Sequence, residues 1–175
     1  FVDAYKALEE PKYLDLALQN ANFIITNLWS GDGNLFHNYK NKKSTINGYL
    51  EDYCFVISAF ISLYEVTFDE KWLQHAKQLT DYSLEHFYDE QHSFFRFTSD
   101  KDEALISVHF ETEDNVIPAS NSVMAKNLYQ LSIYFSNPYY EKICQQMLHQ
   151  ILPNIDYPSA YSNWLDLGLN FSGEN

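Results

Sequence analysis

The chain repeats itself, and this constrains its fold more than any other feature. Shifted by 59 positions, Phe1–Leu14 falls on Phe60–Leu73 with Phe1 on Phe60, Tyr5 on Tyr64, Lys12 on Lys71, Tyr13 on Trp72 and Leu14 on Leu73. The register continues through Ala17 on Ala76, Leu28 on Phe87, Trp29 on Tyr88 and Phe36 on Phe95. A weaker third copy lies a further 68 positions on, where Asn137-Pro138-Tyr139-Tyr140 falls on Asp69-Glu70-Lys71-Trp72. A unit of this length recurring along a chain is the signature of one supersecondary motif stacked on copies of itself.

The middle copy shows what that motif is. Tyr53, Val56, Ile57, Phe60, Leu63 and Tyr64 recur at helical spacing. Phe55, Ala59 and Ile61 fill the other faces, so this helix is expected to be buried all round. Thr67-Phe68-Asp69 predicts a short turn with Asp69 as N-cap. Trp72, Leu73, Ala76, Leu79, Leu84 and Phe87 then mark a second helix, whose polar face (Lys71, Gln74, Lys77, Gln78, Asp81, Glu85) turns outward. Tyr88–Thr98 alternates Phe95 and Phe97 with polar residues and predicts a short hairpin edge. The unit is thus inner helix, tight turn, outer helix, long aromatic loop. Copy one supplies the end of an inner helix at Phe1–Leu8 and an outer helix from Pro11 to about Trp29. Copy three supplies helices at about Ser120–Phe135 and Pro138–Leu152, stopped by Pro153, and a last inner helix is expected from about Ser159. Alternating inner and outer helices give an all-α fold, a two-layer α/α toroid or an α-solenoid, with a β-hairpin-like loop. A closed ring of six such hairpins needs more than twice this length. The expectation is therefore a single partial domain over residues 1–175, about half a ring, cut from a longer chain and exposing inner-helix surface at its open sides.

Composition narrows the partners. Of 175 residues, 11 are Lys or Arg and 24 are Asp or Glu, a net charge of −13. Such a chain is repelled by nucleic-acid backbones and anionic membranes, and no apolar run is long enough to cross a bilayer. Cys54 and Cys144 form no C-x-x-C pair or disulfide framework, and read as core thiols of a protein in a reducing, cytoplasmic compartment. His109-x-Glu111-x-Glu113 lacks a zinc-ligand spacing, so no metal and no cofactor is expected. Aromatic residues make up 17% of the chain. They fit either ring-packed helix seams or the stacking platforms of a sugar site.

In a hairpin ring, the long loops and the first turns of the inner helices share one end and build its pocket. Three such places occur. The first holds Tyr49, Glu51 and Asp52 at a helix start; capping explains one acid, and a second acid at a partly desolvated mouth suits acid–base work. His37, in the aromatic loop Leu35–Tyr39, is the histidine that stands nearest to function, whereas His75, His86 and His149 are expected to be solvated on outer helices. The second place carries Glu111, Glu113 and Asp114 ahead of Ser120, Asn121 and Ser122, more small polar groups than one cap requires. The third is Tyr157–Trp164, where Trp164 is either core or a stacking platform.

The segments GYLEDYCF (48–55), SLYEVTFDEKWL (62–73), DNVIPASNSVMAKNL (114–128) and YPSAYSNWLDL (157–167) together resemble a family that joins a thioredoxin-like domain to an (α/α)6 barrel. It includes the spermatogenesis-associated thioredoxin-like proteins. The resemblance spans essentially the whole chain. It implies a toroid of the six-hairpin glycosidase type, similar to N-acylglucosamine 2-epimerases and cellobiose epimerases, with the thioredoxin-like domain lying upstream. Leu50, Glu51, Asp52 and Tyr53 match the family's L-E-D-Y pocket motif, and Pro118–Ser122 its P-A-S-N-S stretch. Val108 and His109 stand where the family usually has a basic pair, while Glu111 remains. The catalytic histidines of the sugar epimerases have no clear counterpart here.

Two functions follow as expectations. In the first, the domain is carbohydrate-active, a hydrolase or isomerase. Glu51 or Asp52 works with Glu111 as an acid–base pair, and His37, Tyr49, Ser120, Asn121 and Trp164 hold a saccharide. In the second, it is a non-catalytic ligand- or protein-binding toroid, whose partners are the rest of the ring and the thioredoxin-like domain. A prenyl or terpenoid toroid lacks its Asp-rich motif here.

Overall fold

The computed structural model describes residues 1–103 and 108–172. Among the described residues its regular elements are seven α-helices and a two-stranded hairpin: α1 (Val2–Leu8), α2 (Pro11–Asn27), α3 (Leu50–Thr67), α4 (Lys71–His86), β1 (Tyr88–Asp89), β2 (Phe94–Phe95), α5 (Ser120–Phe135), α6 (Pro138–Ile151) and α7 (Ser162–Leu169). Two compact units divide the chain between Tyr82 and Ser83.

In the first unit, α1 ends where Glu9 adopts a left-handed conformation (φ 53°) and its N–H returns to the Tyr5 carbonyl. Pro11 then opens α2, at a position where a missing N–H costs nothing. Ala17 and Ala21, one turn apart, are the buried residues of α2. Such small side chains let neighbouring helices come close. The buried set of α3 (Leu50, Tyr53, Cys54, Ile57, Phe60, Ile61, Leu63) follows the helical spacing seen in the sequence. Burial is not complete, however. Phe55 and Ala59 are exposed and line an apolar groove of about 290 Å³ with α1 and α2. The turn to α4 has Phe68 left-handed (φ 54°), and Asp69 Oδ1 accepts the Lys71 N–H at 3.1 Å, the cap expected of it. Trp72, Leu73, Ala76 and Leu79 then bury one face of α4.

The long loop 28–49 is fixed by specific contacts. Leu35 N–H donates to the Tyr53 hydroxyl at 2.8 Å, and the Tyr53 and Tyr82 rings stack in parallel with centroids 5.5 Å apart. Burial pushes the Tyr53 hydroxyl well above the usual phenol range. Gly33 sits at φ +104° directly against the Tyr82 ring, where a Cβ would lie 2.7 Å from a ring carbon. His75 is not solvated as expected. It is half-buried, with ring centroids 4.9 Å from Trp29 and 5.9 Å from Phe60, and its pKa is lowered, first by burial and then by the Lys71 charge.

In the second unit, β1 and β2 pair antiparallel with Tyr88 opposite Phe95 and Asp89 opposite Phe94, where the alternating aromatics place a hairpin. Asp89 stiffens its tip by accepting from the His92 N–H at 3.0 Å and Arg96 Nε at 3.1 Å. His86 also departs from expectation. Its Nδ1 lies 2.9 Å from Asp100 Oδ1, and its side chain is only 12% exposed. Helix α5 is buried continuously from Ser120 to Ala125. It ends at Ser136 (φ 48°), and Asn137 Oδ1 then accepts the Tyr139 N–H at 3.0 Å to start α6. Tyr140, Ile143, Cys144, Met147, Leu148 and Ile151 bury a single face of α6, as an outer helix requires. Burial pushes the Cys144 thiol up to about 12. Pro153 falls in a 3-10 turn that ends the helix. The last helix starts at Ser162, a few residues later than expected, because Pro158 first opens a 3-10 turn over Pro158–Tyr161.

Candidate functional site

The start of α3 gathers the strongest candidates. Asp52, at the third position of the helix, accepts the Tyr49 N–H through Oδ2 at 2.9 Å, the returning half of a capping box. The same Oδ2 lies 2.9 Å from His37 Nδ1, with Oδ1 at 3.2 Å. His37 reaches Asp52 because its loop is pinned to the helix mouth. The His37 N–H donates to the Ile46 carbonyl at 2.9 Å, and Gly48 N–H to the Leu35 carbonyl at 2.8 Å. A Cβ on Gly48 would meet that carbonyl at 3.0 Å, a tight contact that glycine avoids. The His37 imidazole is 41% exposed and lies 5.1 Å, centroid to centroid, from the Tyr49 ring. A carboxylate against Nδ1 orients the partly exposed imidazole, as a base in a site is oriented. Glu51 is half-buried, and its carboxylate has no hydrogen bond or ion pair among the described residues.

At the start of α5 the acids are already committed. Glu111 Oε2 accepts the Ser120 N–H at 3.1 Å. Asp114, 9% exposed, uses Oδ1 for the Ala119 N–H (3.0 Å) and the Ser122 hydroxyl (2.7 Å), and Oδ2 for the Asn163 N–H (2.9 Å). One carboxylate therefore caps both α5 and α7, whose starts converge on this loop. The Tyr161 hydroxyl donates to Glu113 at 3.3 Å, and burial together with that carboxylate raises the phenol's pKa.

Three residues expected to hold a ligand are instead enclosed by the fold. Asn121 is fully buried, and its amide bonds the Phe95 N–H (2.8 Å), the Phe95 carbonyl (2.9 Å) and the Glu111 carbonyl (2.9 Å), so it ties the hairpin to α5. Ser120 is fully buried, with its hydroxyl unpaired among the described residues. Trp164 is fully buried, donates Nε1–H to the Thr112 carbonyl at 2.8 Å and packs edge-on with Phe94. It belongs to the core and offers no free ring face. Sequence reasoning missed that Asp114 serves two helices. The only signal for it was an acid five residues before the P-A-S-N-S helix start. Among the described residues no group of three or more His, Cys, Asp or Glu side chains is placed to hold a metal, and no helix is long and apolar enough to cross a membrane.

Comparison with known proteins puts this geometry in context. No protein-family profile matches the chain. An uncharacterised Caenorhabditis elegans protein is 29% identical over 153 residues, covering 82% of this chain and 21% of its own length. Human spermatogenesis-associated protein 20 is 34% identical over 85 residues, 48% of this chain and 11% of its own, and the rat protein is 35% identical over 89 residues. The chain thus spans about a fifth or less of the curated relatives it matches. Among solved structures, cellobiose 2-epimerase from Bacillus thermoamylovorans superposes with a TM-score of 0.67 at 17% identity, covering 85% of this chain and 40% of that one. At that identity the likeness is one of fold. The chain is part of an (α/α)6-type toroid, and a distant relative of the spermatogenesis-associated thioredoxin-like proteins.

Proposed function

We propose that this domain belongs to a carbohydrate-active toroid and transfers a proton at a sugar carbon, in the manner of an isomerase or epimerase. The observation that carries this reading is the His37–Asp52 pair at the mouth of an inner helix, in a fold shared with a sugar epimerase. His37 Nε2 takes the proton. Asp52 holds the ring and stabilises the imidazolium that forms, as carboxylate-backed histidines do. Glu51, whose carboxylate has no hydrogen bond or ion pair among the described residues, is the second acid–base group and returns a proton to the substrate. Tyr49 supplies a ring against which a pyranose stacks. Glu111, already spent on the start of α5, is left as a positioning residue.

The engaged acids of α5 favour a second reading, a toroid that binds without catalysis beside a thioredoxin-like domain in the same polypeptide. Cys54 and Cys144, both buried and neither in a disulfide, suit a reducing, cytoplasmic setting under either reading.

The test is turnover of a panel of aldoses and disaccharides, cellobiose included, by the full-length protein, followed by proton exchange from D2O at the sugar carbons. His37→Asn and Glu51→Gln are each expected to lower turnover by about 10²-fold or more with the melting temperature held. Unchanged exchange in His37→Asn refutes the assignment. No exchange with any sugar favours the binding reading.

A further inference from the structure

We propose that a second cleft, between β1 and the N-terminal half of α6, is a binding site for a neutral monosaccharide. Tyr88, Glu90, Tyr139, Lys142, Ile143 and Gln146 line it, and it encloses about 260 Å³. That lies a little under the roughly 300 Å³ at which drug-sized pockets begin, and fits one pyranose ring. No residue of the cleft takes part in the α3 or α5 mouths, so the proposal stands whether or not the domain turns over a sugar.

The walls are preorganised. Tyr139, Lys142, Ile143 and Gln146 share one face of α6 at helical spacing, and Ile143, 4% exposed, forms an apolar floor. Tyr88 is backed by the fully buried Phe95 at 5.1 Å between centroids, and the hairpin that carries it is stiffened by Asp89. Tyr139, on the cleft wall, is 49% exposed. The Tyr88 hydroxyl is hydrogen-bonded to the Ser93 side chain, and the other polar groups stand open. The side chains of Glu90, Lys142 and Gln146 have no hydrogen bond or ion pair to the protein among the described residues, although two of them carry opposite charges on the same cleft.

The inventory matches a pyranose. Sugar hydroxyls both donate and accept. The cleft offers an acceptor (Glu90), a donor (Lys142), a group that does both (Gln146) and two phenols. The C–H face of the sugar then meets a tyrosine ring. A free amino acid would satisfy Glu90 and Lys142 but leave Gln146 and the second phenol without partners. With a chain charge of −13, an anionic ligand is disfavoured.

The test is amide-resolved NMR of the full chain titrated with methyl β-glucoside, methyl β-galactoside and methyl β-mannoside, with alanine as zwitterionic control. At least one glycoside is expected to shift residues 88–90 and 139–146 saturably. Tyr139→Ala and Gln146→Ala each weaken that binding tenfold or more, and Glu51→Gln leaves it unchanged. Tyr139 and Gln146 are not core residues, so both variants are expected to fold, and their spectra check it. Absence of saturable shifts with all three glycosides overturns the proposal. So does a response to alanine alone, or undiminished binding in both variants.

Discussion

Replacing Asp114 with alanine removes one carboxylate and strands three donors at once. Ala119 N–H, Asn163 N–H and the Ser122 hydroxyl all point at its two oxygens, at 2.7 to 3.0 Å. Ser122 retains the Ala119 carbonyl at 2.9 Å, so its loss is partial. Neither backbone N–H has another hydrogen bond among the described residues. A buried donor left unpaired costs about 1–3 kcal/mol, and a lost N-cap about 0.5–2 kcal/mol. Together they give about 3–5 kcal/mol, a large share of the 5–15 kcal/mol typical of a domain. With a urea slope of about 1–3 kcal/mol/M, the unfolding midpoint falls by at least about 1 M. Asp114→Asn keeps one acceptor and turns an NH2 toward one of the N–H groups, so about half that loss is expected. Native-state hydrogen exchange adds a site-specific readout, because the Ala119 and Asn163 amides lose protection first. A loss below about 1 kcal/mol in Asp114→Ala, or unchanged protection at Asn163, refutes the view that one carboxylate caps two helices.

Two further outcomes follow from unit 1. Gly33→Ala places a Cβ 2.7 Å from the Tyr82 ring at a φ that only glycine adopts freely, and is expected to lower stability by about 2 kcal/mol or more, measured by thermal or urea unfolding. His75 has a folded-state pKa below its usual 6.5, so its neutral form is favoured in the fold. Its contribution to stability is complete above about 6.5 and is lost as the pH falls through that value and below. Urea midpoints at pH 7.5 and 5 are expected to differ less in His75→Phe than in the parent chain, and an equal difference refutes the assignment.

Much of the helical layout was legible because it rests on local chemistry. The apolar spacing of Tyr53–Tyr64, the Asp69 cap, Pro11 and Pro138 at helix starts and the Phe95/Phe97 alternation all act within a few residues of themselves. The site was less legible, because it depends on which groups meet across long loops. Nothing local says that His37 folds back on Asp52, or that Asn121 spends its amide on Phe95. The same non-local packing drew His75 among Trp29 and Phe60 and enclosed Trp164, which the sequence left open between core and platform. In the sequence, a buried polar residue and a ligand-facing one look alike.

The left-handed residues that close the three short turns, Glu9, Phe68 and Ser136, stand 59 and 68 positions apart (9 to 68 to 136), the spacings of the repeat itself. None is a glycine, yet each ends its inner helix in the same geometry. All variation in repeat length therefore accumulates elsewhere, chiefly between α2 and α3 and between α4 and α5, where the second connection is the longer. The three inner helices thus end alike, while the connections that lead into them differ in length, the one that carries His37 being shorter than the one that carries the β-hairpin.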